Sequence, residues 1–260
     1  MTTMTHAVTD SWTMLRRQLL HLRRYPSLTA MLIGLPVVFL LLFAYVFGGT
    51  LGAGIGGDRG AYVDYLTPGI LLFTMAGAAA GAAISVAMDT TEGIVDRFRS
   101  MSIARGAMLT GHVLGSLVQN LLALAAVLGV ALLIGFRPNA TAVEWLAVLG
   151  VLTATAFALT WLAVALGMAA DSVETASNTP MFLSLLPFLG SGFVPTDTMP
   201  AGLRAFAEHQ PFTPIIETLR GLLLGTPIGS SAAVALAWCA GIALLSYLWA
   251  RRSYNRRANR

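Results

Sequence analysis

Lysine is absent from this sequence of 260 residues, and all sixteen of its Lys-plus-Arg residues are arginine. A Walker A loop needs a lysine that reaches the phosphates of a bound nucleotide. The chain therefore cannot supply such a loop. If ATP drives this protein, the ATPase must be another polypeptide.

Cysteine and charged residues are also scarce. The single cysteine, Cys239, excludes an intramolecular disulfide and a cysteine metal cluster. None of the four histidines pairs with a cysteine or a second histidine at metal-ligand spacing, so no metal site is predicted. Only 11% of the residues are charged, which is about half the share found in soluble domains. This composition favours a membrane protein.

Long apolar runs make up most of the chain. A membrane-spanning helix needs roughly 20 apolar residues, and the runs are continuous and rich in Ala, Leu and Gly, which favours helices over alternating strands. The sequence therefore predicts one all-α membrane domain over residues 1–260. Its six predicted transmembrane helices lie at about 28–48, 66–88, 107–135, 141–168, 180–195 and 229–250.

The distribution of arginine predicts the orientation of these spans. Twelve arginines precede the first span, separate the second from the third, or follow the sixth. Arginine is enriched in cytoplasmic loops, so both termini are expected in the cytoplasm of a multi-pass cell-membrane protein. Because basic residues flanking spans are the ordinary topology signal, they do not indicate a nucleic-acid partner. The four on the opposite side are Arg59, Arg137, Arg204 and Arg220.

Residues 10–25 form the first of two predicted surface helices. Apolar side chains recur there at helical spacing, and arginines cover much of the remaining surface, which is typical of an interfacial amphipathic helix on the lipid bilayer. A solvated basic tail is the alternative. The defining residues are Trp12, Leu15, Arg16, Leu19 and Arg23.

Residues 89–106 form the second, a short charged block between two apolar spans. Acidic residues come first and arginines follow, with apolar residues interleaved. The pattern predicts an amphipathic helix that lies across the membrane surface and offers an apolar ridge to a soluble partner. The residues predicted to make this contact are Glu92, Gly93, Asp96, Arg97, Phe98, Arg99 and Met101.

Two amides lie deep inside the third span, at Gln119 and Asn120. Polar side chains at membrane depth are costly unless they are bonded, and they often face a cavity or another helix. Together with Ser184 and Pro187 of the fifth span, they are candidate residues of a substrate path. An interhelical hydrogen bond with a purely structural role is an equally open interpretation.

The fifth span is short and interrupted by Pro187, which removes a backbone hydrogen bond and kinks a helix. Broken backbone at membrane depth is tolerated only where protein or a water cavity covers it. Region 196–228 then contains two stretches too short to cross, 203–207 and 215–224. We expect re-entrant or surface helices there, between spans five and six.

The sequence predicts one ion pair and two surface residues among the polar side chains of region 196–228. Glu217 and Arg220 are three residues apart and can pair on one helix face. Glu208 and His209 are expected on the outer surface.

The arrangement resembles the ABC-2-type permeases, the membrane subunits of bacterial ABC exporters. Within them it is most similar to the daunorubicin-resistance-type drug-export permeases of actinobacteria. The resemblance rests on helix 10–25, on the loop 92–101, and on the run 191–195 followed by further prolines. Ile94 replaces a threonine usual in the family's loop, and Ser102 stands near its usual proline.

The resemblance implies a transport subunit and not an enzyme. A permease of this family moves a substrate outward using ATP hydrolysed by a separate ABC ATPase subunit. ATP and Mg²⁺ would be bound by that partner, and this chain would bind no cofactor. A second permease copy or a paralogue would complete the pathway, and the loop 89–106 would be the coupling helix. A hydrophobic drug-like or lipid-like substrate is favoured.

Two other functions are weaker interpretations of the sequence. A membrane-embedded lipid-modifying enzyme needs a polar cluster near one face, and the candidates lack a recognisable motif. A secondary transporter usually carries intramembrane acids or an internal repeat, and neither is evident. The candidates for the enzyme are Glu208, His209, Glu217 and Arg220.

Overall fold

The computed structural model describes residues 26–91, 107–170 and 172–257. These ranges consist of helices joined by turns and short loops and contain no strand, as the all-α prediction requires. The helices are α1 (Pro26–Leu41), α2 (Gly48–Gly54), α3 (Arg59–Thr91), α4 (Ala107–Ile134), α5 (Ala142–Ala169), α6 (Val173–Leu185), α7 (Ala201–His209), α8 (Phe212–Leu224) and α9 (Ser231–Arg257).

Within the described ranges, 5 helices are long and apolar enough to cross a membrane. They correspond to five of the six predicted spans. The first one continues from α1 through the π-helical stretch Leu42–Phe47 into α2, so the glycine-rich stretch after Phe47 is helical at its start. The five span Ala30–Gly54, Arg59–Thr91, Val113–Ile134, Ala142–Ala169 and Ser231–Ser253.

The predicted fifth span, 180–195, is not one continuous helix. Helix α6 has 13 residues and ends at Leu185, after which turns continue to residue 194. Pro187 explains the break, because it has no N–H to donate and its ring blocks the preceding turn. Six continuous membrane-spanning helices are therefore not confirmed within the described residues.

Helix α3 is the centre of the fold, since it contacts α1, α2, α4, α5, α6 and α8. In the most apolar stretch of 18 residues of α3, and likewise of α5, 61% of the residues are buried. The corresponding share in the first and last spans is 17%. Small residues allow this close packing. A Cβ added to Gly167 of α5 would lie 3.0 Å from the Val86 side chain of α3 and even closer to the Ala83 carbonyl.

Local sequence signals set several helix ends. Helix α5 begins with a capping box, in which the Thr141 N–H donates to Glu144 Oε2 at 2.6 Å and the Glu144 N–H donates to Thr141 Oγ1 at 3.4 Å. Helix α8 ends at Leu224 and is followed by Gly225, whose φ of 72° is the left-handed conformation that favours glycine.

The bundle has two ends, which we name by α3. The end that contains Tyr62, near the start of α3, is named the Arg220 end. The end that contains Ala87, near the last residue of α3, is named the Thr91 end. Segment 172–194 runs antiparallel to α3 between them: Ala176 packs with Ala87, and the Phe193 carbonyl accepts a hydrogen bond from Tyr62 Oη. Tyr62 and Ala87 are 25 residues apart, or about 37 Å along a helix.

Candidate functional site

Arg220 of α8 is buried and joins three parts of the chain at the Arg220 end. Its Nη1 donates to Glu217 Oε1 at 3.0 Å, which confirms the predicted pair. Its Nη2 donates to the Ser191 carbonyl at 2.6 Å and to the Tyr65 carbonyl at 3.2 Å. The guanidinium also lies 3.8 Å from the centre of the Tyr65 ring, within cation–π distance. One side chain thus bridges α8, α3 and the turns after α6.

Those turns, residues 186–194, have three backbone carbonyls bonded by side chains of α3 and the α7–α8 region. Gln210 Nε2 donates to the Leu186 carbonyl at 2.9 Å. Tyr65 Oη donates to the Ser191 carbonyl at 2.9 Å, and Tyr62 Oη donates to the Phe193 carbonyl at 3.1 Å. A helix that breaks in apolar surroundings leaves carbonyls that need such donors.

A hydroxyl on α8 completes this network, because the Ser191 N–H donates to Thr213 Oγ1 at 3.3 Å. We call these residues the Arg220 cluster. It consists of Tyr62, Tyr65, Ser191, Gln210, Thr213, Glu217 and Arg220.

Glycine lets segment 186–194 approach its neighbours this closely. A Cβ on Gly69 of α3 would overlap the backbone of Gly192, so these two residues touch main chain to main chain. A Cβ on Gly190 would overlap Gln210 Nε2 and come within 2.7 Å of Thr213 Oγ1. The Gly-Ser-Gly sequence is therefore required by backbone proximity.

Phenylalanine side chains pack on the same segment. The rings of Phe188 and Phe193 stack with centroids 4.0 Å apart. Phe43 lies 4.9 Å from Phe193, and Phe73 of α3 lies 5.5 Å from Phe188. These contacts tie the segment to the first span and to α3 through apolar surface.

Helix α7 presents a different surface at the same end of the molecule. Its Arg204 Nε donates to Glu208 Oε1 at 2.7 Å, and both side chains are exposed. The hydrogen bond and charge of Glu208 raise the pKa of the Arg204 guanidinium. Glu208 and His209 are exposed, as expected for surface residues.

The Thr91 end is an apolar junction of four helices. Val86 of α3, Val113 of α4, Met168 of α5 and Ala250 of α9 belong to one buried cluster. The Thr90 hydroxyl also contacts Met168 Sδ at 3.7 Å. The two helices that flank residues 92–106 are therefore packed into the same cluster.

Comparison with known proteins supplies the family. Residues 9–224 match the ABC-2 type transporter family. This chain belongs to the ABC-2 type transporter family. It is a multi-pass protein of the plasma membrane.

Relatives in actinobacteria agree with this assignment. The chain is 28% identical over 255 residues to "Daunorubicin resistance ABC transporter permease protein DrrB1" of Streptomyces coeruleorubidus, covering 97% of this chain and 89% of the relative. It is 25% identical over 217 residues to "Probable doxorubicin resistance ABC transporter permease protein DrrC" of Mycobacterium tuberculosis, strains CDC 1551 / Oshkosh and ATCC 25618 / H37Rv, covering 81% and 75%. The resemblance to daunorubicin-resistance-type permeases is confirmed.

The predicted contact surfaces of this ABC-2 chain lie outside the residues that the structure describes. The structure therefore leaves their roles as predictions. They are the coupling residues Glu92, Gly93, Asp96, Arg97, Phe98, Arg99 and Met101, and the interfacial-helix residues Trp12, Leu15, Arg16, Leu19 and Arg23.

The predicted substrate-path residues of the ABC-2 chain fall on separate elements. Asn120 of α4 is 2% exposed, and its Oδ1 has no hydrogen-bond partner among the described residues. Gln119 beside it is half-buried, as is Ser184 of α6, while Pro187 is buried in the turns. Helices α4 and α6 make no close approach within the described ranges, so the structure does not bring the amides next to Ser184.

Sequence reasoning missed most of the Arg220 cluster in this ABC-2 protein. It identified Glu217 and Arg220 as a pair, but not Tyr62, Tyr65 or Gln210 as their neighbours. One signal was available: Tyr62 and Tyr65 are three residues apart at the start of a long apolar helix, so both hydroxyls face the same side. The partner segment could not be read from spacing alone.

Proposed function

We propose that this chain is the membrane-spanning permease subunit of an ATP-binding-cassette exporter that moves a hydrophobic drug-like or lipid-like substrate outward. Membership of the ABC-2 type transporter family is the observation that carries the proposal. The relatives named for daunorubicin and doxorubicin resistance support a cargo of this kind.

A separate ABC ATPase subunit binds the ATP and Mg²⁺ in this proposal. The absence of lysine supports that division of labour, because the phosphate-binding loop of such an ATPase requires one. The permease contributes a two-state membrane unit. Nucleotide binding to the partner shifts the populations of those two states.

Segment 92–106 is the proposed contact with the ATPase, and helix 10–25 lies beside it on the membrane surface. The segment leaves α3 at Thr91 and enters α4 at Ala107. Both helices pack into the apolar cluster that also holds α5 and α9. Because close-packed interiors transmit displacement, a push on the segment reaches four helices at once.

The Thr91 end is cytoplasmic and the Arg220 end faces outward in this proposal. The arginine distribution supports that orientation. Segment 172–194 follows α3 over about 37 Å, which supports a sixth crossing made by α6 together with the turns. Helices α7 and α8 then form the re-entrant or surface region between the fifth and sixth crossings.

Lipid and a second permease, either a copy or a paralogue, cover the apolar outside of the bundle. The exposed side chains of the spans are largely apolar, as a bilayer or another helix bundle requires. Met31, Val46, Leu133, Val143 and Leu245 are each at least 65% exposed in the isolated chain. The residues Gln119, Asn120, Ser184 and Pro187 remain the proposed residues of the substrate path.

The first test is affinity purification from the native membrane in mild detergent. We expect a stoichiometric soluble subunit with a Walker A loop to co-purify, and its ATP turnover to rise with substrate. Repeated purification without any ATPase would contradict the transporter assignment.

The second test reverses the chemistry of segment 92–106. Glu92→Arg and Phe98→Asp are expected to abolish substrate-stimulated ATP turnover while the protein still inserts and purifies. Glu208→Arg and Phe206→Asp are matched controls, because they make the same changes on the exposed helix α7. Normal coupling in both segment variants would show that the ATPase binds elsewhere.

A further inference from the structure

Segment 186–194 is held against α3 by polar side chains and by direct backbone contact, in addition to the ring contact of Phe188 with Phe73. The helix break leaves the carbonyls of Leu186, Ser191 and Phe193 to side-chain donors from α3, α8 and Gln210. Hydrogen bonds of this kind exchange readily with water or other donors, whereas interlocked apolar side chains do not. The polar part of the attachment can therefore break and re-form.

The direct backbone contact between α3 and the segment also permits separation. Gly69 and Gly192 meet without any side chain between them. Helix α3 and the segment consequently present smooth surfaces to each other at this level. Separating the two chain segments at Gly69 and Gly192 therefore empties no side-chain pocket at that point, unlike the removal of a core residue.

Arg220 is the one side chain of the cluster that bonds three elements simultaneously. Its two Nη atoms serve Glu217 on α8, Tyr65 on α3 and Ser191 on the segment. The planar fork of arginine makes this geometry available, and a lysine ammonium on a flexible stem does not reproduce it. Hydrogen bonds from a charged donor are also stronger than those between neutral groups.

We propose that Arg220 is a positioning residue that holds segment 186–194 against α3, and that this contact separates when substrate is released at the Arg220 end. This inference rests on the proposed exporter function for its second half. The holding contact itself is a property of the chain alone and is tested without nucleotide.

A cysteine at position 191 reports on the contact. Ser191 is 1% exposed, and its Oγ forms no hydrogen bond with the described residues, so Ser191→Cys removes no bond in this network. Cys239 is the only natural cysteine, and Cys239→Ala gives a background without other thiols. The measurement is the rate at which a membrane-impermeant maleimide labels Cys-substituted position 191 in sealed cells. Ala205→Cys on exposed α7 gives the rate of an open site.

In this background we expect slow labelling when Arg220 is intact. Arg220→Met is expected to raise the rate at least about tenfold, and Tyr65→Phe, which removes one neutral hydrogen bond, about fivefold. The labelling rate of Arg220→Lys is expected to be higher than that of the parent and lower than those of Arg220→Met and Tyr65→Phe. Arg204→Met, a matched change on α7, is expected to leave the rate unchanged. Equal rates for Arg220→Met and Arg204→Met would overturn the holding role.

Tyr65→Phe keeps the test decisive if Arg220→Met does not accumulate in the membrane. It deletes only the hydroxyl that donates to the Ser191 carbonyl. An unchanged labelling rate in that variant would then overturn the proposal.

The release step is tested with the co-purified ATPase in membrane vesicles of known orientation. Addition of ATP and Mg²⁺ is expected to accelerate labelling when Arg220 is intact and to change it little in Arg220→Met. A purely structural role for Arg220 would not make labelling respond to nucleotide in the parent. An ATP-independent rate in the presence of active ATPase would overturn the release step. Failure to find any ATPase would contradict the exporter function instead, while the nucleotide-free comparison would still decide the holding role.

Discussion

Helices α7 and α8 follow each other in the chain, and each carries one arginine–glutamate pair, but their surroundings are opposite. Arg204 and Glu208 of α7 lie 2.7 Å apart with 49% and 39% of their side chains exposed. Arg220 and Glu217 of α8 lie 3.0 Å apart with 10% and 42% exposed. The distances within the two pairs are similar. The difference between them is the burial of the guanidinium, which makes Arg204–Glu208 a surface pair and Arg220–Glu217 part of a structural bridge.

Packing explains the contrast. Helix α8 contacts α3, α5 and α9, whereas α7 contacts only α8 and the short 3₁₀ turn Thr196–Thr198 among the described elements. Ala207 is the buried residue of α7, but most of α8 is buried. An exposed ion pair contributes little to stability. A buried guanidinium also bonded to carbonyls contributes more, because its loss leaves those carbonyls with fewer donors.

Replacing each arginine gives the largest expected difference between the two helices. Arg220→Met is expected to lower the free energy of unfolding by about 2–4 kcal/mol, because charged hydrogen bonds to buried carbonyls are lost. Arg204→Met should cost less than about 0.5 kcal/mol. Thermal unfolding of the purified variants in mild detergent checks both. Equal losses would mean that burial does not distinguish the pairs.

Gly221 of α8 provides the second test. A Cβ there would overlap the Ile228 side chain and lie 3.0 Å from the Thr226 carbonyl, so Gly221→Ala forces the α8–α9 connection to shift. We expect a loss of about 1–3 kcal/mol, as for other overpacked sites. The same unfolding assay measures it, and an unchanged midpoint would show that this connection yields easily.

Substitution of Gly202 of α7 is expected to change the free energy of unfolding least, and to raise it where the other substitutions lower it. No atom lies within 4 Å of a Cβ added there, and its backbone φ is not positive. Gly202→Ala is therefore expected to stabilise α7 by up to about 1 kcal/mol, since alanine is the better helix former. A slightly raised unfolding midpoint is the expected result. Destabilisation would reveal a contact of α7 that the isolated chain does not contain.

The long helices were predictable because their signal is local and continuous. The predicted spans at 107–135 and 141–168 agree with α4 and α5 within about two residues. The span at 66–88 was too short, since α3 already begins at Arg59. Asp64 and Tyr65 are polar enough to interrupt an apolar run. In the structure, the Arg137 N–H donates a hydrogen bond to Asp64 Oδ1 at 2.9 Å, so the helix includes Asp64.

The Arg220 cluster was only partly predictable, for a different reason. The Glu217–Arg220 pair is three residues apart and follows from helix geometry. Tyr65 is 155 residues from Arg220 along the chain, and the contact of its carbonyl with Nη2 depends on how α8 packs against α3. Spacing carries no information about such a pair.

By itself, the sequence determined that this protein is helical and embedded in a membrane, that it has no lysine for a nucleotide loop, and which family its motifs resemble. These properties follow from composition and local pattern, which act over a few helical turns. Only the tertiary structure decided that α8 is buried while α7 is exposed, and that the turns after Pro187 are held by Tyr62, Tyr65 and Arg220. Those outcomes depend on which carbonyls the broken helix leaves unbonded and which distant donors the packing of α3 brings within reach.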